Sequence, residues 1–169
     1  MKTGKTDTNW YVFYTRPNAE KVVYNELKKR DFNAFLPLVK TLRVWKNRQK
    51  KYILRVLFRS YVFVCTRESE IYNITRVRGI VRCVRCGDRF SIVPEKDISG
   101  IEQMLATGQQ IYAEHDFAEG EHVRVTSGPL AGCVGLLIKR KGKHRFGIVF
   151  DDIKQCACID IDVSILEKV

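Results

Sequence analysis

Trp10-Tyr11-Val12-Phe13-Tyr14 and, further along, Phe58-Arg59-Ser60-Tyr61-Val62-Phe63-Val64 decide how the front of this chain is read. Both are runs of aromatic and β-branched residues, the composition of a buried strand. Between them, Thr15-Arg16-Pro17-Asn18 predicts a helix start, because proline is tolerated in a first turn and asparagine caps well. The helix is expected to run to about Arg30, with Ala19, Val22, Val23 and Leu27 inward and Lys21 and Lys28 outward. Residues 32–39 read as a second strand, and Pro37 argues for an edge or bulge there. Leu42 and Val44, then Tyr52, Leu54 and Val56, alternate with basic residues around Lys46-Asn47-Arg48-Gln49-Lys50. That pattern predicts a hairpin with a cationic tip and a polar outer face.

Past residues 61–65 come a short helix over 68–77, with Ile71, Ile74 and Val77 inward, and a strand over 80–86 turning at Gly87-Asp88. Pro94 opens a last helix whose buried stripe is Ile98, Ile101, Met104 and Leu105, and Gly108 can cap it. Strand, helix, strands, helix, strand is the order of a split βαβ, ferredoxin-like module, here with an added hairpin and a final helix. Residues 108–117 show no period and read as a linker. Beyond them Val123 and Val125, Leu136 and Ile138, Ile148 and Phe150, and Ile159 and Ile161 mark short strands. Turns at Gly128-Pro129, Lys141-Gly142-Lys143 and Asp151-Asp152 separate these strands, as in a small SH3-like barrel. The expected fold is therefore α+β, with an αβ domain over 9–107, a linker over 108–117 and a β-barrel over 118–169.

Charge is segregated. Residues 1–106 hold 22 Lys and Arg against 10 Asp and Glu, whereas residues 107–169 hold 8 against 9. Only the front is built for a polyanion. Residues 40–59 carry eight cations (Lys40, Arg43, Lys46, Arg48, Lys50, Lys51, Arg55 and Arg59) and no acid. Lysines on an edge hairpin also block aggregation, but eight without a counter-charge exceed that need and favour a nucleic-acid contact.

No apolar run approaches the roughly 20 residues that span a bilayer, and residues 1–9 are polar, which predicts a cytoplasmic protein with no membrane contact. Of the six cysteines, Cys83 and Cys86 form C-x-x-C, and Cys156 and Cys158 form C-x-C. A zinc site wants four convergent ligands, whereas residues three apart on a strand point to opposite faces, so buried small hydrophobes are expected and no metal. His115, His122 and His144 stand beside no nucleophile motif and are expected to face solvent. Neither an enzyme nor a cofactor is expected.

The two halves together resemble the NusG family of transcription factors. Phe58-Arg59-Ser60-Tyr61-Val62-Phe63-Val64 is similar to the family's F-P-G-Y-hydrophobic-F-V signature, Arg78-Gly79-Ile80-Val81 to the stretch before its fourth strand, and Ile92-Val93-Pro94 to its last helix entry. The family's KOW signature is matched by Gly120, Val123, Val125, Gly128, Pro129, Gly132 and Gly135. Within the family, the basic hairpin, the opening aromatic run and Val84-Arg85-Cys86-Gly87 are most similar to the specialised RfaH and UpxY type, which serves long operons such as surface polysaccharide loci.

The resemblance implies an N-terminal (NGN) domain that docks on the clamp of RNA polymerase through Tyr14, Phe58, Tyr61 and Phe63. It also implies that Arg16, Lys21, Lys29 and Arg30 face the non-template DNA strand. To these the basic hairpin adds Arg43, Lys46, Arg48, Lys50 and Lys51 as contacts to DNA or nascent RNA. A partner at the barrel, Rho or a ribosomal protein, would meet Pro129, Leu130 and Cys133, although the family places aromatics there. Bridging the clamp would suppress pausing and termination, and a monomer is expected. A ribosome-associated or general RNA-binding KOW protein is the alternative, and the net acidic back half argues against it.

Overall fold

The computed structural model describes residues 7–115 and 120–169. The end of the expected linker (116–117) and the first two residues of the expected barrel (118–119) lie outside the described residues. Contacts group the chain into two compact units, one comprising the chain up to Leu36 with Arg59–Ile98, the other Pro37–Phe58 with Ser99–Val169.

The first unit is built on strands β1 (Thr8–Thr15), β2 (Asn33–Phe35), β5 (Tyr61–Arg67) and β6 (Ile80–Cys83), with helices α1 (Glu20–Lys29) and α2 (Ile71–Thr75). Their antiparallel order is β2-β5-β1-β6, and a short strand β9 (Ile92–Val93) pairs with the start of β1. This is the ferredoxin-like order expected from the sequence. Tyr11, Val12, Phe13, Val62, Phe63 and Val64 are all essentially inaccessible, so β1 and β5 bury both faces, which is why neither shows polar alternation. Strands β7 (Arg85–Cys86) and β8 (Arg89–Phe90) form a ribbon turning at Gly87, which adopts φ 62°.

Helix α1 departs from expectation at its start. Asn18 adopts φ 62° and belongs to the turn, while Ala19 occupies the cap position without a side-chain hydrogen bond. The helical face is set from Glu20, so Val23 and Leu27 are buried but Val22 is 67% exposed, not inward. Glu20 is buried instead, and its carboxylate accepts a hydrogen bond of 2.7 Å from the Ser60 amide. Ser60 adopts φ 66°, a left-handed conformation that costs a residue with a Cβ roughly 1–2 kcal/mol. Ser60→Gly is therefore expected to raise stability by about 0.5–1 kcal/mol in urea unfolding, after the greater unfolded-state freedom of glycine is subtracted.

In the second unit, Pro37 interrupts the expected strand over 32–39: β2 ends before it, and β3 (Leu38–Val44) pairs with β4 (Lys50–Val56) as the expected hairpin. Helix α3 (Glu95–Ala106), which belongs to the first unit up to Ile98 and to the second from Ser99, buries Ile98, Ile101 and Met104, and Gly108 with φ 69° closes it. The small β domain is a six-stranded antiparallel sheet. Its strands are β10 (Ile111–Glu114), β11 (Glu121–Val125), β12 (Val134–Arg140), β13 (Lys143–Phe150), β14 (Gln155–Asp160) and β15 (Leu166–Lys168), in the order β10-β14-β13-β12-β11-β15. Gly135 sits where a Cβ would come 2.3 Å from the Gly147 carbonyl oxygen, which gives that motif glycine its physical reason.

Residues 111–114 correct the reading of 108–117 as a linker: they form β10, with Ile111 paired to Ile159 and Glu114 to Cys156. The strand is held by Arg145, whose guanidinium lies 3.7 Å from the Tyr112 ring centre and bonds Glu114 at 2.7 Å and Asp160 at 2.9 Å. Burial pushes the Asp160 carboxyl up, but the hydrogen bonds from Arg145 and Lys143 outweigh it and hold it below the usual range.

Candidate functional site

Most of the expected site residues fall in four places, two on the first unit and two on the second. On the first unit the paired register of β1 and β5 sets Tyr14 opposite Tyr61. Their rings lie 5.6 Å apart, and the Arg82 guanidinium is 6.0 Å from the Tyr14 ring centre. The geometry is fixed behind them: Thr15 N–H donates to the Ser60 carbonyl, and the Glu20 carboxylate holds the Ser60 amide. Both tyrosines are half-buried. Burial, reinforced by Tyr14 and opposed by Arg82, pushes the Tyr61 hydroxyl up, so it remains a neutral donor at physiological pH.

The other two aromatics of the expected docking set are placed differently. Phe63 is fully buried with its ring 6.2 Å from Phe35, and Phe58 is fully buried with Phe150 edge-on at 5.2 Å. Neither offers surface to a partner in this structure. Phe63 shares a strand face with Tyr61, but that face is covered one pair further along the sheet.

The second surface is a groove of about 640 Å³ lined by Arg16, Pro17, Asn18, Ala19, Val22, Glu26, Arg30, Arg78 and Gly79. It is formed because Arg16 N–H donates to the Gly79 carbonyl, and a Cβ at Gly79 would lie 2.8 Å from Val23, so only glycine brings this backbone so close to α1. Pro17, Ala19 and exposed Val22 make an apolar floor between guanidinium groups, and Arg30 is tied to Glu26 at 3.1 Å. Arg16 and Arg30 are thus brought together, whereas Lys21 and Lys29 are exposed on α1 outside the lining. Arg78 was missed as a site residue. Its only signal was the neighbouring glycine, whose need for close approach is not visible in sequence.

The third surface is the β3–β4 hairpin. Arg43, Lys46, Arg48, Lys50 and Lys51 are all exposed, and Arg48 with φ 64° makes the turn closed by hydrogen bonds between Trp45 and both Arg48 and Gln49. Its outer surface is not simply polar, because Leu42, Val44, Trp45, Tyr52 and Leu54 are exposed as well.

In the C-terminal loop, Gly128 and Gly132 take φ 84° and 86° and fold the turn so that Pro129 is exposed but Leu130 is 6% exposed. Leu130 is therefore a plug under the loop, not a contact at its tip. Cys133 is half-buried, its thiol 3.2 Å from Gln103 Oε1 and its pKa raised by burial. Cys83, Cys156 and Cys158 are buried, as small apolar residues would be, while Cys86 is exposed. Burial pushes the Cys83 thiol up to about 12, which leaves it unreactive.

The family model described as transcription termination factor NusG matches residues 8–102. The chain belongs to the NusG family. It is 27% identical to the transcription termination/antitermination protein NusG of Halalkalibacterium halodurans over 145 residues, covering 78% of this chain and 81% of that protein. A solved structure of Thermotoga maritima NusG superimposes with a TM-score of 0.53 at 18% identity, covering 98% of this chain and 99% of that one, so the fold is shared along the length. As a member of the NusG family the chain is a transcription factor of the termination/antitermination class. No helix among the described residues is long and apolar enough to cross a membrane.

Proposed function

We propose that this NusG-family chain is an elongation regulator that docks on the clamp of RNA polymerase and suppresses pausing and termination. The observation that carries the reading is the half-exposed Tyr14–Tyr61 pair, held by a buried backbone clamp on the same unit as the arginine-walled groove. Tyrosines with an apolar body and polar tip suit a protein interface. Docking is assigned to Tyr14 and Tyr61, while Phe58 and Phe63 are buried and serve the core. Arg16, Arg30 and Arg78 receive the non-template strand, and the hairpin cations contact DNA or RNA. The likeness to the RfaH and UpxY type supports service of particular long operons, such as surface polysaccharide loci. Pro129, with Cys133 beside it, is the part of the C-terminal loop left to a ribosomal protein or Rho.

The test is a purified elongation reaction to which the full chain is added. Pause lifetimes should shorten and read-through of terminators should rise. Unchanged pausing, together with co-sedimentation with ribosomes, would instead favour the general RNA-binding reading. The nucleic-acid part has its own measurement. Changing Lys46, Arg48, Lys50 and Lys51 to Ser is expected to flatten the slope of log affinity against log salt by roughly 0.7 per lost contact on single strands. An unchanged slope would leave these cations as solubilising charge.

A further inference from the structure

Five of the large exposed hydrophobic residues, Leu42, Val44, Trp45, Tyr52 and Leu54, stand on the hairpin of β3 and β4. The register Lys40 to Leu54, Leu42 to Tyr52 and Val44 to Lys50 gathers an apolar strip with a lysine at either end on one face. Pairing of Thr41 with Ile53 and Arg43 with Lys51 makes the other face, which Trp45 extends toward the tip. Each face carries one exposed aromatic ring with a cation against it: Lys40 Nζ lies 4.6 Å from the Tyr52 ring centre, and the Arg43 guanidinium 4.9 Å from that of Trp45.

What covers such a surface follows from its charge. Residues 40–59 hold eight cations and no acid, so a second copy would set cations against cations. A bare duplex would satisfy the cations through its phosphates but leave both rings in water, because its bases are already stacked on each other. A single strand satisfies both features at once, with phosphates on the Lys and Arg side chains and unstacked bases on the rings.

We infer that the hairpin is a single-strand-binding ribbon in which Trp45 and Tyr52 are the base-stacking residues. This rests on the nucleic-acid contact proposed above and adds a preference for unpaired over paired strands. Arg43 and Lys40 serve twice, lying against a ring and offering charge to the neighbouring phosphate. Because any base has a face to stack, the ribbon is expected to read strandedness and not sequence.

The chain has two tryptophans, and Trp10 is 8% exposed against 49% for Trp45, so quenching of tryptophan fluorescence by a bound strand reports on Trp45. The experiment uses the full chain, an oligothymidylate of about 16 nucleotides and a duplex of the same length. The oligothymidylate should quench fluorescence. Trp45→Ala with Tyr52→Ala should weaken single-strand binding, read by anisotropy, by about ten- to a hundred-fold. Duplex affinity and the salt slope should stay unchanged, and Trp45→Phe with Tyr52→Phe should restore most single-strand binding. The turn is closed by backbone hydrogen bonds, so the alanine variant keeps its hairpin.

Unchanged single-strand affinity, or equal loss on both substrates, overturns the inference. So does loss of polymerase co-purification with oligonucleotide binding intact, which would assign the apolar strip to a protein. If the four-cation variant flattens the slope while the aromatic variant has no effect, stacking fails and the electrostatic contact stands. If neither variant has an effect, the contact fails as well.

Discussion

Replacing Tyr14 and Tyr61 together by alanine is expected to abolish co-purification with RNA polymerase while the protein still melts cooperatively. Central interface aromatics cost about 2 kcal/mol or more each on truncation, so the pair amounts to about a thousand-fold in affinity. Both side chains are only half-buried, and their strand positions are fixed by the β1–β5 ladder, so the folded state survives their loss. Phe63→Ala serves as the contrast. Its ring is fully enclosed, and its removal should cost about 3–5 kcal/mol of stability, with binding lost only because folded protein is lost. A double tyrosine variant that binds normally would remove this patch from the interface. One that fails to fold would return the tyrosines to the core.

The second large effect is expected at Arg145. Arg145→Ala removes the cation that Glu114 and Asp160 share, leaving them only the more exposed Arg140 and Lys143, and uncovers the Tyr112 ring. The loss should be about 2–3 kcal/mol, less than for a fully buried pair because the Asp160 side chain is 36% exposed. Hydrogen exchange should quicken most at residues 111–114, whose strand the guanidinium holds. Adding Glu114→Gln and Asp160→Asn should recover part of the stability, since the two carboxylates that lost their buried counter-charge are then neutral, while Arg140 and Lys143 stay solvated. Acid provides an independent check. Asp160 is held below its ordinary range when folded, so its stabilising contribution is complete above the unfolded carboxylate range and is lost as pH falls through the folded value. Wild-type exchange at 111–114 should therefore quicken on acidification, and the Asp160→Asn variant should show less of that change.

Much of the fold was legible because its signals are local. The aromatic run 10–14, the stripe of α3 and the hairpin all declare themselves within a window of about a dozen residues. The departures share a different origin. Val22 turned outward because a left-handed Asn18 moved the start of α1, a shift no periodicity count registers. Residues 111–114 have too few side chains to show alternation, and the partner that makes them a strand is β14, far along the chain. Leu130 and Phe58 look like surface residues from their motifs, yet their burial depends on how loops and strands close over them. For the candidate site, charge could be read from composition. Which arginines share a groove could not, because Arg78 reaches Arg16 and Arg30 only through the tight packing at Gly79.

The pairing of β10 with β14 bears on tether mechanics. With residues 111–114 stowed in the sheet, only 107–110 join α3 to the C-terminal strands, a leash of at most roughly 14 Å. Arg145 works as a latch on that short lead: its ion pairs to Glu114 of β10 and Asp160 of β14 keep the four-residue connector from lengthening at the expense of the sheet's edge.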